Sequence, residues 1–134
     1  MISRRNFALA AAAVLAVPTR SRASETLDYA PGLVDERLAA GDTVLADFYA
    51  TWCSTCRRQE RVLGDLRGTN PAYDSAITFV KVDWDLYGRG ELATRLSIPR
   101  RSTLVLLRGD QELGRLVADT RRDAIAALLD QALL

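Results

Sequence analysis

Two cysteines, Cys53 and Cys56, stand two residues apart where an apolar, strand-like run gives way to a helical pattern, and this placement constrains the fold more than any other feature. Residues 43–49 are β-branched, aliphatic and aromatic, a run of strand length of the kind buried on both faces of a parallel sheet. Residues 53–66 read as a helix, with Val62, Leu63 and Leu66 turned inward and Gln59, Glu60 and several arginines on the polar side. The free N–H groups and the dipole of a helix N-terminus stabilise an anion. Cys53, at that terminus, can therefore hold thiolate at neutral pH, and Cys56, one turn in and more enclosed, suits the displacement of a mixed disulfide.

The remaining pattern alternates helix and strand. Residues 30–41 have Leu33, Val34, Arg37 and Leu38 at helical spacing, with Pro31 near the start and Gly41 as a stop. Residues 68–75 read as a polar turn around Asn70-Pro71, residues 77–82 as a second buried strand and residues 90–96 as a short helix. Residues 102–107 and 112–117 form a hairpin about Gly109-Asp110, and residues 121–133 close the chain as an amphipathic helix. Parallel crossovers followed by an antiparallel hairpin imply an α/β fold with a mixed central sheet and helices on both faces.

The first residues differ in kind. Met1 to Arg5 is short and basic, residues 7–17 are almost wholly apolar, and Ser21-Arg22-Ala23 sets small residues two apart, the three-part layout of a secretory signal peptide. Ser3-Arg4-Arg5-Asn6-Phe7-Ala8-Leu9 resembles the twin-arginine export signal. An apolar run of about a dozen residues falls short of the roughly 20 that a membrane span requires. The expected division is a signal peptide over 1–23, cleaved after Ala23, and one domain over 24–134, with no stable membrane insertion after cleavage. Four of the 18 basic residues lie in 1–23, which leaves 14 against 17 acidic residues, a net charge of −3. That balance does not suggest a nucleic-acid partner, which asks for a basic face.

No histidine is present, which removes the commonest general base and the commonest transition-metal ligand. Three other readings of the cysteines stand beside redox chemistry. A structural disulfide closing so short a loop would stabilise the fold only modestly. A closed zinc site cannot be completed within one chain without further cysteine or histidine. Two inert core thiols would be odd next to Trp52 in an exported protein, where thiols meet oxidant.

The segment Ala46-Asp47-Phe48-Tyr49-Ala50-Thr51-Trp52-Cys53-Ser54-Thr55-Cys56-Arg57 resembles the active-site segment of thioredoxins, and the similarity extends from about Leu33 to Leu133. The resemblance implies a thioredoxin-like fold and assigns Cys53 as nucleophile, Cys56 as resolving thiol and Trp52 as the apolar flank of the site. Asp47 matches the family's buried acid, whose carboxyl, with its charged form disfavoured by an apolar strand, takes a proton from the resolving thiol. A hydrogen-bonded strand residue is the alternative for Asp47. Lys81 matches the lysine near that acid, or else is a solvated charge at a strand end.

Departures from the family accompany the matches. In thioredoxins a cis-proline before a threonine faces the cysteines and orients the substrate, whereas Ser102 precedes Thr103 here and the nearest proline is Pro99. Because a non-proline cis bond costs about 2.5–4 kcal/mol, a trans bond or a reshaped loop is expected at Ser102. Its N–H and hydroxyl would then be offered toward Cys53, and Ser102 and Thr103 are the expected substrate-contacting pair. Pro99 takes that role only if the alignment shifts locally. Arg57, Arg58 and Arg61 stand near the site, either supporting the thiolate or simply solvated.

The function expected from residues and resemblance together is thiol–disulfide oxidoreduction in a bacterial periplasm, in the reducing direction. Its partners would be protein disulfides and a membrane redox partner, its state monomeric, and no dissolved cofactor is implied. The alternative is a thioredoxin-like binding or assembly module, for instance in cytochrome maturation, whose cysteines serve only as a redox sensor.

Overall fold

A computed structural model describes residues 12–14 and 25–134 of the chain. The proposed signal peptide and its cleavage point therefore lie almost wholly outside the described residues. The elements run β1 (Leu27–Asp28), α1 (Leu33–Ala39), β2 (Thr43–Tyr49), α2 (Ser54–Thr69), α3 (Ala72–Ala76), β3 (Thr78–Asp83), α4 (Trp84–Tyr87), α5 (Glu91–Arg95), β4 (Thr103–Arg108), β5 (Gln111–Val117) and α6 (Arg122–Asp130), ending in a 3₁₀ turn, Gln131–Leu133. The five strands form one mixed sheet in the order β1-β3-β2-β4-β5. β1, β3 and β2 are parallel, and β4 and β5 continue the sheet antiparallel. This is the expected fold class.

Alternation along the strands divides the core into two layers. On β2, Val44, Ala46 and Phe48 face one side with Val80, Val82, Val105 and Leu107, where Val34 of α1 and Leu92 and Ala93 of α5 cover them. Leu45 faces the other side with Phe79, Leu104 and Leu106, beneath Leu63 and Leu66 of α2 and Ile125 and Leu129 of α6. The same parity sends Asp47 of β2 and Lys81 of β3 to the α2 side, and the two are direct neighbours in the parallel register. An acid and a base on neighbouring strands are thus set into the floor beneath the helix that carries the cysteines.

Several elements differ from the sequence expectation. In place of a turn over residues 68–75, α2 runs on to Thr69 and α3 follows. Asn70 Oδ1 accepts the Ala72 N–H at 3.1 Å, and buried Tyr73 donates its hydroxyl to Asp130 Oδ1 at 2.5 Å, so tertiary anchoring overrides the turn composition. β1, two residues long, and α4, a single turn capped by Asp83 Oδ1 accepting the Asp85 N–H at 2.9 Å, are too short to show a period. Trp84 of α4 packs edge-on against Phe48 and covers the cysteine cluster. Gly88 makes room for this ring, because a Cβ there would lie 2.6 Å from the Trp84 carbonyl oxygen and 2.7 Å from the indole.

Candidate active site

β2 ends at Tyr49 and a tight turn through Thr51 and Trp52 delivers Cys53 to the N-cap of α2. Cys53 Sγ accepts the Cys56 N–H at 3.1 Å, the contact an N-cap side chain makes with the helix. Cys53 and Cys56 are joined as a disulfide with Cα atoms 5.3 Å apart. Both are nearly enclosed, 3% and 4% exposed, against Ala50, Tyr49 and Trp84. Trp52 is the exposed flank, at 56%, and its indole N–H donates to Asp85 Oδ2 at 3.0 Å.

Ser102 closes the other side of the pair. Its Oγ lies 3.1 Å from Cys53 Sγ and 3.1 Å from Cys56 Sγ. Neither sulfur of a disulfide carries a proton, so the hydroxyl is the donor in this state, its single hydrogen serving one sulfur at a time. The backbone at Ser102 has φ 65°, in the left-handed region, and all peptide bonds among the described residues are trans. Only half of the expectation for Ser102 is met: the hydroxyl faces the sulfurs, but the N–H donates to the Phe48 carbonyl at 2.7 Å. Thr103 is fully buried and donates its hydroxyl to the Arg100 carbonyl at 2.7 Å, which bends the loop without facing solvent. Pro99 is exposed and three residues from Ser102, so it does not occupy the position facing the cysteines.

Asp47 is buried on the α2 side of the sheet, and its Oδ1 has no hydrogen-bond partner. Burial pushes its carboxyl from the ordinary 3.8 up to about 7; Lys81 opposes the shift and Glu60 adds to it. Lys81 pairs with Glu60 at 3.3 Å and lies 4.2 Å from the centroid of the Tyr49 ring. Glu60 and Lys81 line two cavities at once, one of about 180 Å³ that reaches Asp47 and one of about 210 Å³ that reaches Cys56. The Glu60–Lys81 pair therefore borders both the cavity at the carboxyl and the cavity at Cys56.

Gln59 corrects the sequence reading, which places it on the polar face of the helix. It is fully buried, and its side-chain amide donates to the Ser102 carbonyl at 3.0 Å and to the Asp119 carbonyl at 3.1 Å. One side chain thus ties α2 to the loop before β4 and the loop before α6. The usable sequence signal is its helical spacing, three residues from Cys56 and four from Leu63, which puts it on the buried stripe. Gln59→Leu strands the part-buried Asp119 carbonyl but also removes Gln59 Oε1, which is buried without a partner, so the expected net destabilisation is about 1 kcal/mol. The measurement is the urea midpoint of the oxidised protein, and an unchanged midpoint would remove Gln59 from this role.

A parallel β-helix-β crossover that ends in an antiparallel hairpin, with a dithiol at the helix N-terminus above a buried carboxyl, defines a thiol–disulfide oxidoreductase of the redox α/β class. The chain belongs to the thioredoxin family, whose model, Thioredoxin, matches residues 30–131. It is 28% identical over 99 residues to a thioredoxin of Staphylococcus haemolyticus, covering 74% of this chain and 89% of that protein. Thioredoxin H2-1 of Oryza sativa is 35% identical over 74 residues, covering 55% of this chain but only about half, 49%, of the rice protein. Among solved structures, Trxlp from Edwardsiella tarda superposes with a TM-score of 0.69 at 30% identity, over 78% of this chain and 98% of that one.

Proposed function

We propose that this protein is exported to a bacterial periplasm, where it reduces disulfides of other proteins through Cys53 and Cys56 and is itself re-reduced by a membrane partner. The single observation that carries the chemistry is the meeting of both sulfurs at the N-terminus of α2, with the Ser102 hydroxyl 3.1 Å from each. Export is supported by the charge and hydropathy layout of residues 1–23, and the reducing direction by the likeness to proteins named thioredoxin.

In the reduced protein the Cys53 thiolate attacks one sulfur of a substrate disulfide. That S–S bond breaks, the departing sulfur leaves as a thiolate and takes up a proton, and a mixed disulfide joins Cys53 to the substrate. Cys56 then gives up its proton toward Asp47, whose cavity and that at Cys56 are both bordered by Glu60 and Lys81, and attacks Cys53 Sγ. The second substrate thiolate departs, and the two electrons the substrate gains are balanced by the new Cys53–Cys56 disulfide. A carboxyl with a pKa of about 7 is partly ionised at neutral pH, as a proton acceptor there must be.

A second reading, a docking or assembly module with a redox-sensing cysteine pair, is favoured by the near-complete enclosure of both cysteines. Cys56→Ser separates the two. An exchanging enzyme accumulates covalent adducts through Cys53 that reductant releases, whereas a docking module binds its partner without them. The direction of flow is read from the reduction potential of the pair in thiol–disulfide buffers. A value near about −270 mV supports the reductant, and one near about −120 mV would make the protein an oxidant.

A further inference from the structure

Six arginines among the described residues, Arg37, Arg67, Arg95, Arg115, Arg121 and Arg122, are paired with carboxylates of the chain. Arg57 and Arg101 form no ion pair among the described residues, and both are held against the turn that leads into Cys53. Arg57, the residue after Cys56, donates from a terminal guanidinium nitrogen to the Thr51 carbonyl at 3.2 Å. Arg101, the residue before Ser102, lays its guanidinium on the Trp52 ring, 4.3 Å from the centroid. Next to it Arg100 is folded back, so that its Nε donates to the Arg101 carbonyl at 3.0 Å, which leaves Arg101 as the cation of this loop that meets the indole.

The two guanidinium groups come from different elements and converge on two consecutive residues, Thr51 and Trp52, beside the nucleophile. A guanidinium already fixed by a hydrogen bond or a ring loses little freedom when it meets a carboxylate, and it can offer two parallel N–H donors. Arg101 Nε is enclosed without a hydrogen-bond partner, a cost that the attraction between the guanidinium and the Trp52 ring offsets in part. Asp85, the acid that meets the same indole, spends its carboxylate on the Trp52 N–H and forms no ion pair with either arginine.

We propose that Arg57 and Arg101 select protein disulfides flanked by acidic residues, whose carboxylates dock on the two guanidinium groups while the disulfide lies against Cys53. This rests on the exchange reading given above and names its substrate class. Opposite charge at the rim raises the encounter rate, and the effect is screened by salt.

The test mixes the reduced protein with two disulfide-looped peptides, identical except that the residues flanking the loop are glutamate in one and lysine in the other, and follows oxidation of the protein in a single turnover. At low ionic strength the acidic peptide is expected to react at least about tenfold faster than the basic one, and at about 0.5 M salt the ratio should fall to within about twofold. Joint replacement Arg57→Glu and Arg101→Glu should invert the low-salt ratio. A ratio is insensitive to a general loss of rate, and if the double variant does not fold, the salt dependence of the wild-type ratio decides the matter. Equal rates at low salt, or a ratio unmoved by charge reversal in a folded variant, would overturn the proposal. Failure to reduce either peptide and the uncharged bis(2-hydroxyethyl) disulfide would overturn the exchange reading itself.

Discussion

Cys53→Ser is expected to lower the rate of exchange with bis(2-hydroxyethyl) disulfide by at least about 10³-fold at pH 7, while leaving the helical content of the reduced protein unchanged. The two halves of this expectation have separate causes. The attacking species is an anion, and a serine hydroxyl does not ionise near neutrality, so the nucleophile disappears. The N-cap does not, because serine is among the preferred residues there and its oxygen can accept the N–H of residue 56 as Cys53 Sγ does at 3.1 Å. A folded, capped and inactive protein places the loss in the chemistry. Stability is compared with the reduced wild type, since the variant lacks the Cys53–Cys56 link. Residual exchange within tenfold of the wild type would remove Cys53 as nucleophile.

The largest stability effect is expected at Asp47. Its carboxyl ionises at about 7 in the folded protein against 3.8 when free, because burial disfavours the charge. Between those values the folded state holds a proton that the unfolded chain has released, so stability falls as pH rises through this window. Below it nothing is lost; above about pH 7 the full penalty applies. The interval corresponds to roughly 4 kcal/mol, of which water entry and local relaxation return a part. Asp47→Ala should therefore be more stable than the wild type by about 2–4 kcal/mol at pH 8, and nearly equal to it at pH 4. Urea midpoints of the oxidised proteins at pH 4, 6 and 8 read this directly. A difference that does not change between pH 4 and pH 8 would show that the penalty is not ionic. The same variant should lose rate in the second half of exchange at neutral pH, where Cys56 has no proton acceptor. Gain of stability with loss of rate marks a group retained for chemistry.

Much of this fold is legible in the sequence because strand and helix periods are strong where an element is long. Thr43–Tyr49 is readable to the residue, and alternation within it already puts Asp47 on the opposite face from Ala46 and Phe48. The hairpin about Gly109-Asp110 and the closing helix are readable for the same reason. Elements of one turn or two residues, β1, α3 and α4, are not, since they are held by register, a side-chain cap or a buried tyrosine and not by their own pattern. Gln59 escapes a reading of polarity alone, because a helical glutamine is ordinarily solvated and only the two loop carbonyls it meets explain its burial.

By itself, the sequence determined the class of fold and the reacting pair. A buried strand running into a helix that begins with Cys-Ser-Thr-Cys leaves both sulfurs at a positive helix end whatever surrounds them, since that electrostatics belongs to the backbone. Tertiary structure alone decided what surrounds them. Ser102 reaches both sulfurs across 49 and 46 residues of chain, Glu60 and Lys81 border the cavities at Asp47 and at Cys56, and Arg101 lies over Trp52. Such contacts depend on how strand register and loop geometry bring distant segments together, a product of packing that no local period encodes.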